Sequence, residues 1–187
     1  MFYDVKAPKP HESPPLVCWQ PPDEGWIKLN VDGACDLNSK SMAAGGILRD
    51  HLGNWISGFQ KFLGSGDSRL VECWSALLGI NLAVSLNITH LWIESDCSIL
   101  IDLLSKQDLN HMHHLAPMIF SCRSSLRHFR NIKISHIFRE GNRCADAIAA
   151  NALISPCNFT LLNSCPSFVA PFCTMDRLGF HTPRGIG

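Results

Sequence analysis

The sequence predicts an α/β fold in which a five-stranded mixed sheet carries helices on both faces, with elements in the order βββαβααβα. Three observations predict it. Residues 27–34 alternate apolar Ile27, Leu29 and Val31 with polar Lys28, Asn30 and Asp32, the period of a half-buried strand. Two more strand-like runs, 42–49 and 54–62, are joined only through Asp50, His51, Leu52 and Gly53, a hairpin-like turn. From residue 67 onward helical and strand patterns take turns. Three consecutive strands followed by alternation imply an antiparallel hairpin edge on a mixed sheet.

The later elements follow in order. Asp67 or Ser68 caps a helix that reaches about Leu86. Residues 90–94 form a short strand, and 97–104 a helix opened by Ser95 or Asp96. Residues 114–129 form another helix, packed with the one before it as a pair. A strand at 132–137 and a last helix from about Asn142 to Leu153 complete the unit. Six of the eleven prolines fall within the first 22 residues, which marks 1–24 as a lead-in rather than a packed element. The domain itself spans 25–154. Residues 155–187 form a Pro/Ser/Phe-rich tail, uncharged as far as Met175, laid against it.

Composition narrows the function classes. A chain of 187 residues, 46% hydrophobic and 17% charged, holds one domain with a proper core and is not disordered throughout. The most apolar stretch, 74–86, is interrupted by Ser75, Gly79, Asn81 and Ser85, so no membrane span is expected. The start carries Asp4, Lys6 and Lys9 among prolines and lacks the apolar run of a secretory leader. A nuclear or cytoplasmic setting with reduced thiols follows for the nine cysteines. Cys157, Cys165 and Cys173 are evenly spaced but lack the close pairing of zinc ligands. His111, His113 and His114 read as a solvated loop. Sixteen basic and sixteen acidic side chains cancel. Between residues 123 and 143, however, six basic residues face only Glu140. That stretch is either a solvated helix face or a stripe directed at phosphates.

Four acids stand out by position. Asp32 lies on the polar side of the first strand, followed by Gly33, which lets a backbone or ligand come close. Glu72 sits in the first turn of the long helix, on one face with Ala76, Gly79 and Ala83. Small residues let that face pack tightly on a sheet and carry Glu72 inward. Asp96 directly follows the fourth strand. Asp146 shares a helix face with Ala149 and Ala150. Each alone has an ordinary reading: a turn residue, a favourable charge at a helix N-terminus, or a cap. Together on packing faces they are costly unless neutralised, and a divalent cation neutralises several at once.

The combination resembles the ribonuclease H family. The segments KLNVDGA (28–34), ECWSALLGINLA (72–83), IESDC (93–97) and ISHIFREGNRCADAIA (134–149) match its successive signatures in order. The lead-in CWQPPDEGWIKLN (18–30), the hairpin GGILRDHLGNWISGF (45–59) and the tail MDRLGFHTPRG (175–185) are similar to the domains of plant retroelement reverse transcriptases and their free-standing relatives. The resemblance implies a two-metal endonuclease that cuts the RNA strand of RNA–DNA hybrids and acts as a monomer. Asp32, Glu72, Asp96 and Asp146 would bind two Mg²⁺, or Mn²⁺ in their place. His136, ten residues before Asp146, would assist proton transfer or product release. Arg139, Asn142 and Arg143 would contact phosphate or sugar, and the backbone at Gly33 the 2′-hydroxyl groups.

Two departures from the family pattern are expected to matter. Between the middle helices only Lys106 is clearly basic, so hybrid binding should be weak and salt-sensitive. Val71 replaces the subgroup's usual alanine before Glu72. Two other functions compete with a hybrid nuclease: a catalytically idle nucleic-acid-binding or protein-interaction module, and a 3′-exonuclease on the same fold. The sequence is expected to be either a free-standing nuclease or a retroelement fragment.

Overall fold

The computed structural model describes residues 14–106 and 114–185. The strands are β1 (Leu16–Val17), β2 (Ile27–Cys35), β3 (Ser41–Arg49), β4 (Trp55–Ser65), β5 (His90–Ser95), β6 (Asn131–His136), β7 (Thr160–Leu162) and β8 (Thr182–Pro183). The helices are α1 (Ser68–Ser85), α2 (Ser98–Ser105), α3 (Ala116–Leu126), α4 (Arg143–Ile154) and α5 (Ala170–Arg177), with a 3-10 turn at Arg139–Gly141. His111 and His113 lie outside the described residues.

The main sheet has the order β6-β5-β2-β3-β4-β7. Its β6–β5 and β5–β2 pairings are parallel, and its β2–β3, β3–β4 and β4–β7 pairings antiparallel. The expected five strands are therefore six. The sixth, β7, comes from the tail and covers the outer edge of β4, pairing Leu161 with Phe59. An open edge invites pairing with another chain, and three residues of tail suffice to close part of it. They are too few to show a strand period in the sequence.

Alternation along β3 separates the two helix layers. Ala44 and Leu48 face the larger core with Ala76, Ile80 and Ala83 of α1. Ile47 points the other way, into a smaller core with Cys144 and Ile148 of α4 and Val169 before α5. Gly45 lies on the α4 side, where an added Cβ would run into the Ala149 backbone. The small side chains on α4 thus let helix and sheet backbones touch. Helix α1 begins at Asp67, whose Oδ1 accepts from the Arg69 and Leu70 amides at 2.9 Å. Its first turn has no acid, so Glu72 sits one turn deeper than the sequence suggests. Neither expected residue caps α2. Its N-cap position is Cys97, whose amide donates to Ser95 Oγ at 3.1 Å.

The polar face of β2 is buried as well as the apolar one. Lys28 and Asn30 have no exposed surface. Lys28 Nζ donates to Glu94 Oε1 at 2.8 Å, and Asn30 Nδ2 to Glu94 Oε2 at 3.2 Å. Trp19 of the lead-in covers this layer and donates through Nε1 to Asn30 Oδ1 at 3.0 Å. Arg49 reaches the same oxygen at 2.9 Å and stacks on the Trp19 ring at 3.7 Å. Burial pushes the Lys28 ammonium below its usual pKa, although Glu94 opposes that. The strand period that reads as half-buried is the period of a strand with one apolar and one charge-paired side, both covered. Strand β1 pairs with β8, which joins the lead-in to the chain's far end. Among the described residues no helix is long and apolar enough to cross a membrane.

Candidate active site

Four elements meet at one cleft of about 470 Å³, lined by Asp32, Glu72, Asp96, Arg139 and Asp146 among others. Asp32 stands near the end of β2, opposite Gly45 of β3. Glu72 reaches the cleft from α1, Asp96 from the loop between β5 and α2, and Asp146 from the first turn of α4. Gly33 makes room for the approach of α1. A Cβ there would stand 2.7 Å from Val71 Cγ1, 2.9 Å from the Val71 carbonyl carbon and 3.0 Å from the Glu72 amide nitrogen. Any side chain at 33 would push Glu72 away from Asp32.

The electrostatics are those of crowded, buried acids. Burial raises the Asp32 carboxyl to about 8, helped by the charges of Asp96 and Asp146 and a hydrogen bond shared with Asp96. Burial, with Asp32 and Asp96 adding to it, raises Glu72 to about 9. Glu72 Oε2 is buried and has no hydrogen-bond partner. A carboxylate oxygen in that condition carries an uncompensated desolvation cost, which a cation would remove.

Among the described residues, no group of three or more His, Cys, Asp or Glu side chains is gathered tightly enough to hold a metal ion as the side chains stand. Two of the four acids accept from an Arg or Asn side chain instead. Arg139 Nη2 donates to Asp146 Oδ1 at 3.1 Å, and Asn142 Nδ2 to Asp96 Oδ1 at 3.0 Å. By donor chemistry the set still fits a hard divalent cation, since all four side chains offer oxygen and one buried oxygen lacks any partner. Asp32 and Glu72 fit most directly, while Asp96 is engaged by Asn142 and Asp146 by Arg139.

The other singled-out residues divide. Arg139 lines the cleft, and its guanidinium is largely exposed. His136 does not line it. Its Nε2 lies 3.1 Å from the Asp96 carbonyl, and its ring meets Phe138 edge-on at 5.5 Å. The imidazole thus stands beside the acids and opens onto a neighbouring groove with Trp92 and His181. Asn142, expected at the nucleic acid, is 1% exposed. It donates to both Val31 O and Asp96 Oδ1 at 3.0 Å, so it ties β2, the Asp96 loop and α4 together instead of reaching outward. Arg143 also departs from its expected role. It turns to α5, with Nη2 4.0 Å from Asp176 Oδ1 and its guanidinium 5.9 Å from the Phe172 ring. The Arg139–Asp146 pair and the buried Asn142 bridge went unread in the sequence, where both residues look like solvated loop positions.

Comparison with known proteins agrees with the fold. Residues 30–152 match the family described as reverse transcriptase-like. A protein of Arabidopsis thaliana that bears the name of a ribonuclease H protein is 29% identical over 171 residues, 91% of this chain. The chain spans only 27% of that protein's length. Ribonuclease H1 from Halobacterium salinarum superposes with a TM-score of 0.65 at 21% identity, covering 70% of this chain and 98% of that one. The N-terminal ribonuclease H domain of a Mycobacterium tuberculosis protein gives 0.65 at 18% identity, covering 70% and 94%. LC11 ribonuclease H1, solved in complex with an RNA/DNA hybrid, gives 0.62 at 16% identity, covering 69% and 97%.

Proposed function

The chain belongs to the reverse transcriptase-like family and has the ribonuclease H fold, and on that premise we propose that it is an endonuclease for the RNA strand of RNA–DNA hybrids. The observation that carries this reading is the convergence of Asp32, Glu72, Asp96 and Asp146, from four separate elements, on one open cleft. Asp32, Glu72, Asp96 and Asp146 would hold two Mg²⁺. Such ions, when bound, supply an activated water and stabilise the charge on the scissile phosphate.

The chain's own groups have separate tasks in this proposal. Burial keeps water away from Glu72 and Asp32, which strengthens every charge interaction at the cleft floor. Asn142 fixes the Asp96 carboxylate from behind. Gly33 offers backbone at the cleft wall, where a 2′-hydroxyl group distinguishes RNA from DNA. Arg139 is the cation at the rim and would exchange Asp146 for a phosphate oxygen. His136 stands next to Asp96 and would accept or return a proton as product leaves. The catalytic unit is residues 25–154, with the lead-in and tail closing its polar face.

One observation favours a second reading. The pairing of Asp146 with Arg139 leaves the acids short of a ready-made metal cage, as in a module that binds nucleic acid without cutting it. A cleavage assay on end-labelled RNA–DNA hybrid, with Mg²⁺ and with chelator, separates the two. The nuclease cuts only with metal and loses its activity in Asp32→Asn. Hybrid bound but uncut at every Mg²⁺ concentration would establish the second reading.

A further inference from the structure

All nine cysteines are free thiols, and three of them meet where the tail packs on α4. Cys173 of α5 is in the middle. Its Sγ lies 3.6 Å from Cys144 Sγ and 3.8 Å from Cys165 Sγ. Nothing in the proposed nuclease reaction uses this cluster. Cys144 is 1% exposed and lies 3.4 Å from Asp176 Oδ2, so it is packed away from solvent. Cys165 and Cys173 are only half-buried. They sit eight positions apart, on the loop before α5 and on α5 itself, so their sulfurs can close to bonding distance by movement of one short loop.

We propose that Cys165 and Cys173 are an oxidation-responsive dithiol, which peroxide converts to a disulfide that fastens the loop before α5 onto that helix. The Cys173 sulfur attacks a peroxide oxygen, the O–O bond breaks, and a sulfenic acid and one water form. The Cys165 sulfur then displaces the sulfenic oxygen as a second water. The two thiols lose two protons and two electrons, and hydrogen peroxide is reduced to two waters. Cys173 is the sulfur that attacks first, since it lies between the other two and is half-exposed. A hydrogen bond from the Cys144 thiol pulls Cys173 below the usual thiol range, while burial pushes Cys165 up to about 12. The disulfide would hold α5 in place, and α5 carries the Asp176 that pairs with Arg49. The proposal does not depend on the chain being a nuclease.

The test uses the full chain treated with a few equivalents of hydrogen peroxide, then alkylated under denaturing conditions. Trypsin cannot resolve the cluster, since no Lys or Arg falls between 144 and 176. Pepsin can, because Phe168 and Phe172 lie between the two cysteines. The expected result is two fewer alkylated thiols and a reducible cross-link joining peptides that contain Cys165 and Cys173. Cys165→Ser should abolish the cross-link, and Cys157→Ser should leave it intact. All nine thiols still alkylated, a cross-link through Cys144, or Cys173 oxidised to sulfinic acid without any cross-link would each overturn the proposal.

Discussion

Arg49 Nη1 lies 2.6 Å from Asp176 Oδ2, with both side chains removed from solvent and 127 positions of chain between them. Arg49 ends the second strand of the main sheet, and Asp176 lies in the last helix. Through this pair the tail neutralises a charge that the sheet would otherwise bury alone. Removing one partner of a buried pair costs more than the pair itself contributes, because the remaining charge is stranded. Asp176→Ala should therefore destabilise the protein by about 3–5 kcal/mol in urea unfolding. The exposed Asp102–Lys106 pair is the control, and its loss should cost under about 1 kcal/mol. Equal effects would mean that Asp176 is not what compensates Arg49.

The cleft acids set a pH dependence with a definite sign. Asp32 and Glu72 are raised to about 8 and about 9, so the folded chain holds protons that the unfolded chain has already released. Their contribution is fully present below the unfolded values of about 4 and falls as pH rises through 8 and 9. Chelated protein should melt at a lower temperature at pH 9 than at pH 5. Asp32→Asn should remove part of that slope, and excess Mg²⁺ should flatten it by binding the folded state alone. Melting curves across pH, with and without Mg²⁺, check this. A slope untouched by Asp32→Asn would show that this carboxyl stays ionised in the fold.

Gly33 is a spacing element. In Gly33→Ala the new methyl meets both the Val71 side chain and the backbone of α1. A cost of about 1–3 kcal/mol is expected from such overpacking, together with loss of cleavage, since Glu72 rides on the displaced turn. Val71→Ala in the same chain should recover part of the stability but not all of it, because the backbone contact at 2.9 Å remains. Full recovery would assign the whole clash to the valine.

Arg139 pairs with Asp146 at the surface, where such pairs contribute little. Arg139→Ala should leave stability within about 0.5 kcal/mol. Mg²⁺ affinity should rise modestly as Asp146 is released. Hybrid binding should weaken with a salt slope shallower by about one phosphate contact. An unchanged slope would remove Arg139 from the nucleic-acid surface.

His136 touches the Asp96 carbonyl but stands outside the acid cleft. His136→Ala should slow hybrid cleavage by a factor of about 10² or more without abolishing it, whereas Asp146→Asn should be close to inactive. Single-turnover and steady-state rates together show whether the loss lies in cleavage or in release. Unchanged rates in both would leave His136 as the partner of Phe138 and nothing more.

Much of this arrangement is legible in local pattern. The alternation at 27–34, the Asp50–Gly53 turn, the Asp67 cap and the small-residue faces carrying Glu72 and Asp146 are each decided by neighbours within a few positions. Backbone geometry converts those spacings directly into strands and helices. The order of elements and the placing of four acids near element ends therefore follow from sequence. What covers each face does not. Lys28 and Asn30 look solvent-facing by period, yet Trp19 covers them and Glu94 pairs with both. Arg143 reads as a free cation until α5 lies against it. Strand β7 has three residues and gains its partners only from β4. Period reports which side of an element is apolar. Whether the polar side meets water or a compensating charge depends on segments from 11 to 127 positions away, and only the folded chain brings them there.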